Sequence, residues 1–324
     1  MEENHVMRIK MKSSHFFCLA FASFFIFGGA EVFSQSTVSV SKNSLSESPK
    51  FKGQPFSVSE YRGTSPDTLK KYSVLEFADG RISKERQFND DGSEKTVVAR
   101  KFLADGKISE ITGLDSSKNV KWRYSYGYGE KGLLASETSY SGSGEIEWRA
   151  EYFYNEKSRL SECKTYSSAG ALNFTEKYIY TEDGRIKDYS SFYADGKLFK
   201  RVEYIYNADS TLAQEKNYDA SGFYESVNYS YSNGKASSIK TLGADGSLKT
   251  EETRTFSAGN MIRSVLKNAE GKTVSEKEFF YDWKGNIVLE KNPSGIIIRN
   301  FLYNAPVSSL ASSPSSSSSE KKEN

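Results

Sequence analysis

From about Tyr72 to Tyr303 apolar and polar residues alternate in short bursts of eight to ten residues, separated by Gly-containing turns. The clearest burst is EIEWRAEYFY, where Ile146, Trp148, Ala150, Tyr152 and Tyr154 share one face and Glu145, Glu147, Arg149 and Glu151 the other. A period of two is that of a β-strand with one wet face. The same shape recurs as Val120, Trp122, Tyr124, Tyr126, then Leu172, Phe174, Tyr178, Tyr180, then Leu198, Val202, Tyr204, Tyr206. The bursts in between are apolar only at their ends, as in Leu134 and Tyr140, or Ile186 and Phe192.

The turn signals explain the recurrence. One series falls at Gly80, Gly106, Gly132, Ser158, Gly184 and Ser210, each 26 residues after the last, and continues less regularly at Gly234, Gly259 and Gly285. A second interleaves from Gly92 through Asn119, Gly144, Gly170 and Gly196 to Gly295. Successive turns are too close for a crossover helix, so neighbouring strands are antiparallel. This predicts an all-β antiparallel meander of about nine 26-residue β-hairpin repeats over 71–303, forming an extended, twisted or coiled sheet. Asp-Gly and Asn-Gly pairs suit hairpins. Ser158 and Ser210 lack the glycine, which predicts that Asn155 and Asn207 take the special backbone position there. Pairing strand ends with strand starts predicts two apolar rails along the edges of a single face, with Leu134 in one and Tyr140 in the other.

The phrase Tyr-x-Tyr-x-x-x-Gly-x-Leu/Ile, as in YIYTEDGRI (Tyr178 to Ile186) and FFYDWKGNI (Phe279 to Ile287), resembles the tyrosine-aspartate (YD) repeat of bacterial Rhs proteins. The Asp after the second aromatic is kept only at Asp282; Asn155, Thr181 and Asn207 stand there elsewhere. The resemblance implies long β-sheets, often coiled into shells, and a bacterial surface location. It implies no toxin, because no further domain follows the repeats.

The ends differ in character. The run Phe16 to Ala30, preceded by Arg8, Lys10 and Lys12, reads as a secretory signal cleaved after Ala30 or Ser34, with an uncleaved anchor as the alternative. Met11 resembles a natural start. The domain reading is therefore signal peptide 1–34, linker 35–70, repeats 71–303 and a disordered Ser-rich tail 304–324. Cys163 is then the only thiol of the mature chain, and no intramolecular disulfide is expected. Export places the protein in the periplasm or at the cell surface, with no stable membrane span after cleavage.

Composition narrows the chemistry. The 44 basic and 42 acidic residues are interleaved along the chain, leaving no basic stripe for nucleic acid. Both histidines, His5 and His15, lie in the signal, so Ser-His-Asp and Cys-His catalysis and the usual zinc sites lack a member. The chain reads as a non-enzyme without cofactor or resident metal. Asn89 to Gly92 and Asp282 to Gly285 are weak Ca²⁺ candidates, better read as turns. What remains is a structural, scaffolding or adhesive protein of the envelope whose partner is an unknown protein. The alternative is a glycan- or cell-wall-binding module using the aromatic face of Trp122, Tyr124, Trp148, Tyr152, Tyr178, Tyr180, Tyr204 and Tyr206. An outer-membrane barrel ranks below both, because Glu110, Glu162, Asp188 and Gln214 would share a lipid face with the rails.

Overall fold

The computed structural model describes residues 51–303. The signal, its cleavage, the start of the linker and the Ser-rich tail lie outside them. Twenty strands follow one another: β1 (Ser57–Gly63), β2 (Lys70–Ala78), β3 (Arg81–Phe88), β4 (Glu94–Phe102), β5 (Ile108–Asp115), β6 (Val120–Tyr128) and β7 (Leu134–Ser141). Then come β8 (Ile146–Tyr154), β9 (Leu160–Ser167), β10 (Leu172–Tyr180), β11 (Ile186–Tyr193), β12 (Leu198–Tyr206) and β13 (Leu212–Asp219). The last are β14 (Gly222–Ser232), β15 (Lys235–Gly243), β16 (Leu248–Ser257), β17 (Asn260–Asn268), β18 (Thr273–Tyr281), β19 (Ile287–Asn292) and β20 (Gly295–Leu302).

Each strand pairs antiparallel with its chain neighbours, and β1 pairs with both β2 and β20, so the single 20-stranded sheet closes into a barrel. This corrects the expectation of an extended or coiled sheet. The closing strand β1 comes from Ser57–Gly63, within the segment read as linker. Its Pro and Ser neighbours masked a short alternating burst in which Val58 and Glu60 are buried. Curvature has a local source as well. Every neighbouring pair except β19–β20 and β20–β1 carries a register shift, and each such bulge bends and twists the strand that holds it.

Most turns are a type I turn followed by a residue in the left-handed region. In Leu103 to Lys107 the Gly106 N–H donates to the Leu103 carbonyl (2.9 Å) and the Leu103 N–H to the Lys107 carbonyl (2.8 Å). Gly106 has φ 83°. Ser158 (φ 56°) and Ser210 (φ 72°) occupy that position themselves, so Asn155 and Asn207 do not supply it. Asn155 instead opens its turn, its Oδ1 accepting from the N–H groups of Lys157 and Arg159 at 3.0 Å. In the second series Lys118 (φ 67°), not Asn119, takes the left-handed place.

The bulges also split the two rails between the faces. Leu134 pairs with Tyr128 and Glu137 with Tyr126, so Leu134 and Glu137 share a face although three residues apart. Tyr140, three beyond Glu137, points the other way and pairs with Arg123 and Ile146. The rail of Leu134, Tyr128 and Tyr154 therefore lines one face at one end of the barrel. The rail of Tyr140, Tyr166 and Ile146 lies on the opposite face at the other end.

Burial tells the faces apart. The face bearing Glu137, Ala150, Cys163, Glu176 and Val202 is almost wholly shielded, with Glu176 only 1% exposed. On a single-layer sheet the convex side has nothing to cover it, so this is the concave, inner wall. Long charged side chains occupy the outer one. A round ring of twenty strands at ~4.8 Å spacing, leaning ~40°, would be on the order of 40 Å across. The Tyr152–Glu137, Lys249–Glu225, Tyr124–Trp148, Arg299–Glu60 and Arg299–Glu290 contacts each join strands no more than two apart around the barrel.

Candidate functional site: the inner wall

The inner wall is built from two rows of tyrosine and one of buried acids, and each follows from the repeat. The second aromatic of each Tyr-x-Tyr phrase ends an even-numbered strand and closes onto the strand before it. The hydroxyls of Tyr128, Tyr154, Tyr180, Tyr206, Tyr231 and Tyr281 donate to the carbonyls of Ile108, Leu134, Leu160, Ile186, Leu212 and Met261, at 2.6–2.9 Å. Those carbonyls sit where the ladder is broken by a bulge. Each tyrosine thus satisfies a backbone acceptor while its ring fills the rail.

The first aromatic lies deeper, beside carboxylates. Tyr152 donates to Glu137 (2.9 Å), Tyr178 and Tyr189 to Glu176 (2.7 and 3.2 Å), and Tyr229 to Glu215 (2.8 Å). Burial raises the Glu137 carboxyl to about 7, partly offset by the hydroxyls of Tyr152 and nearby Tyr126. It also raises Glu215, against the bond from Tyr229. In the remaining sector arginines replace tyrosines. Glu60 accepts from Arg62 (2.7 Å) and Arg299 (2.8 Å), and Glu85 lies 3.8 Å from Arg100. Sequence periodicity places Glu85, Glu137 and Glu215 on the wet face, because each follows a bulge, whereas Glu176 keeps the period of Phe174 and Tyr178.

All eight aromatics singled out from the sequence lie on the inner wall, but they are not alike. Tyr178 is buried against Tyr189, while Tyr180 and Tyr206 are clamps. Trp122, Tyr124 and Trp148 form a half-buried run, with ring centres 5.2 Å apart for Trp122–Tyr124 and 6.0 Å for Tyr124–Trp148. The indole of Trp122 occupies the place a Cβ on Gly113 would take, so it rests directly on β5. Next to this run the Tyr126 hydroxyl and Glu137 Oε1 are buried and make no hydrogen bond of proper geometry.

The Ca²⁺ candidates are turns. Asp91 Oδ1 accepts from the Ser93 N–H (2.9 Å), and Asp282 Oδ1 from those of Lys284 and Asn286 (2.9 Å each). Among the described residues no group of three or more His, Cys, Asp or Glu is placed to hold a metal ion. No described helix is long and apolar enough to cross a membrane, which leaves strands untested. Cys163 is buried in β9 and disulfide-bonded, which corrects the expectation of no intramolecular disulfide; no second cysteine lies among the described residues.

No protein-family model and no curated protein matches the chain. Among solved structures, a porin-like protein from Bacteroides uniformis is similar at 8% identity and a TM-score of 0.34, over 78% of this chain and 99% of that one. A GtfA/B complex bound to UDP and GlcNAc aligns at 17% identity and a TM-score of 0.15, over 36% of this chain and 21% of that one. A Bacteroides fragilis protein of unknown function aligns at 10% identity and a TM-score of 0.13, over 45% and 89%. Scores this low carry no argument about function.

Proposed function

We propose that the chain is an exported scaffold or interaction protein of the bacterial envelope, a barrel that works in water without catalysis. The observation carrying this reading is that both walls hold charged groups midway along the strands. Outside, Arg123, Arg149 and Arg201 sit near strand centres and lie over Tyr140, Tyr166 and Tyr218 at 4.1–5.1 Å. Cross-strand ion pairs such as Lys101–Glu110 (2.7 Å) and Arg201–Asp188 (2.6 Å) join them. Inside stand Glu137, Glu176 and Glu215. A lipid-facing Arg or Lys at the bilayer midplane costs ~2–4 kcal/mol, and here the cost would recur around the ring. An aqueous exterior of paired charges suits contact with proteins.

Residues 35–324, purified without detergent, are expected to stay dispersed and to leave vesicles of outer-membrane lipid uncoated and non-conducting. Insertion with ion conductance would sink the reading and restore the membrane barrel.

A second reading, glycan binding, is favoured by the Trp122–Tyr124–Trp148 run. These half-buried rings offer stacking surface for a sugar, and Tyr126 and Glu137 supply polar atoms for its hydroxyl groups. Retention on cell-wall glycan that survives Lys→Gln changes outside but fails on Trp148→Ala supports it. Equal retention of wild type and Trp148→Ala refutes it.

A further inference from the structure

The seam where β20 returns to β1 opens into a cavity of about 900 Å³ at the barrel end formed by the Thr64–Thr68 loop and the Pro293-Ser294 turn. It reaches from Val274 and Lys277 on β18 to Phe88 on β3. We propose that this mouth binds a small amphipathic anion, a carboxylate or phosphate carried on an apolar body.

Charge is the first support. Arg62, Lys70, Lys71 and Lys277 line the cavity against only Asp90 and Glu290. Both acids already have cations: Asp90 lies 3.4 Å from Lys70, and the buried Glu290 lies 3.9 Å from Arg299, itself outside the lining. Arg62 is committed to Glu60 at 2.7 Å. Among the described residues Lys71 and Lys277 belong to no ion pair, although Lys277 is close enough to Glu252 and Glu290 to favour their ionised forms. The mouth therefore keeps an excess of positive charge in a half-enclosed space, where attraction to an anion exceeds that in open water.

The second support is the walls. Tyr72 lies under the Arg62 guanidinium (3.5 Å to the ring centre), and Lys71 stands 5.5 Å from the centre of Phe88. Ile297 adds aliphatic surface. Cations held beside rings suit a ligand with an apolar body and one charged end, and the volume is that of a small-molecule site. Contrast with the far wall sharpens the preference. Glu137, Glu176 and Glu215 meet tyrosines there, so the field inside the barrel directs anions toward the seam.

The test uses residues 35–324 with anilinonaphthalene sulfonate as fluorescent probe and decanoate, decyl phosphate and decanol as competitors. Decanoate or decyl phosphate is expected to displace the probe at concentrations at least about tenfold below decanol. A Lys70→Gln, Lys71→Gln, Lys277→Gln variant with wild-type circular dichroism is expected to lose about tenfold in affinity for the anion. Should that variant misfold, the wild type decides: anion affinity falls several-fold on adding salt while decanol is unaffected. Decanol competing as well as the anions, an unchanged affinity in the folded variant, or no salt dependence overturns the proposal. The scaffold reading is tested by membrane insertion, so either can fail without the other.

Discussion

The indole of Trp122 lies on the bare Cα of Gly113, across the β5–β6 pair, in the space a side chain on β5 would fill. Gly113 is not in the left-handed region, so its backbone does not require glycine. At an open strand site, replacing such a glycine by Ala is worth roughly +0.5–1 kcal/mol. Here the expected sign is opposite. Gly113→Ala should destabilise by ~1–3 kcal/mol, because the added methyl pushes the indole off its seat. Urea unfolding of Gly113→Ala, Trp122→Ala and the double variant checks this. In the double variant the cost of the methyl should vanish, and additive losses would show that the two residues do not depend on each other.

The clamp from the Tyr154 hydroxyl to the Leu134 carbonyl (2.8 Å) can be removed without disturbing the ring. Tyr154→Phe is expected to cost ~0.5–1.5 kcal/mol in the same assay, the usual worth of one such hydrogen bond. Phe102 and Phe256 hold the equivalent places on β4 and β16, so the ring alone is compatible with closure. A loss several times larger would mean that the hydroxyl sets the local register as well.

Stability should rise as the solution is acidified from pH 8 to pH 5. Burial lifts the Glu137 carboxyl from 4.5 to about 7, and lifts Glu85, Glu215 and Glu290 in the same direction. A carboxyl whose folded value is raised binds its proton more tightly in the folded state. Its contribution is full below the unfolded value and is lost as pH rises through the folded one. For Glu137 that window runs from about 4.5 to 7 and amounts to on the order of 3 kcal/mol. Glu137→Gln should flatten this part of the Tm-against-pH curve and stabilise the protein at pH 8. An unchanged curve would remove Glu137 as the source.

Strand identity, antiparallel order and the 26-residue unit were legible because alternation and turn residues are local. Closure was not. It depends on Val58 and Glu60, whose short burst lies among residues typical of a linker, and on bulges whose curvature accumulates around the ring. The same bulges hid Glu137: counting by twos from Leu134 places it outside, whereas Ala135 and Ser136 together advance the chain by one step. The eight aromatics were readable as one face. That this face is concave, and that Tyr180 and Tyr206 are spent on backbone carbonyls, follows only from pairing across repeats.

Two turns were assigned to the wrong residue, and they give the last expectation. Ser158 and Ser210 adopt φ 56° and 72°, where an L side chain crowds the following carbonyl. Glycine fills that place in the sister turns at Gly106, Gly132 and Gly184. The left-handed conformation costs a non-glycine residue ~1–2 kcal/mol, and the extra freedom of glycine in the unfolded chain returns roughly half to one of those. Ser158→Gly and Ser210→Gly should therefore each stabilise the barrel by a few tenths to ~1 kcal/mol, and the two should add because the turns are two repeats apart. Asn155→Gly should do the reverse, since its side chain accepts from Lys157 and Arg159. Chemical unfolding of the three variants separates the accounts: stabilisation by Asn155→Gly with none from Ser158→Gly would restore the assignment made from sequence.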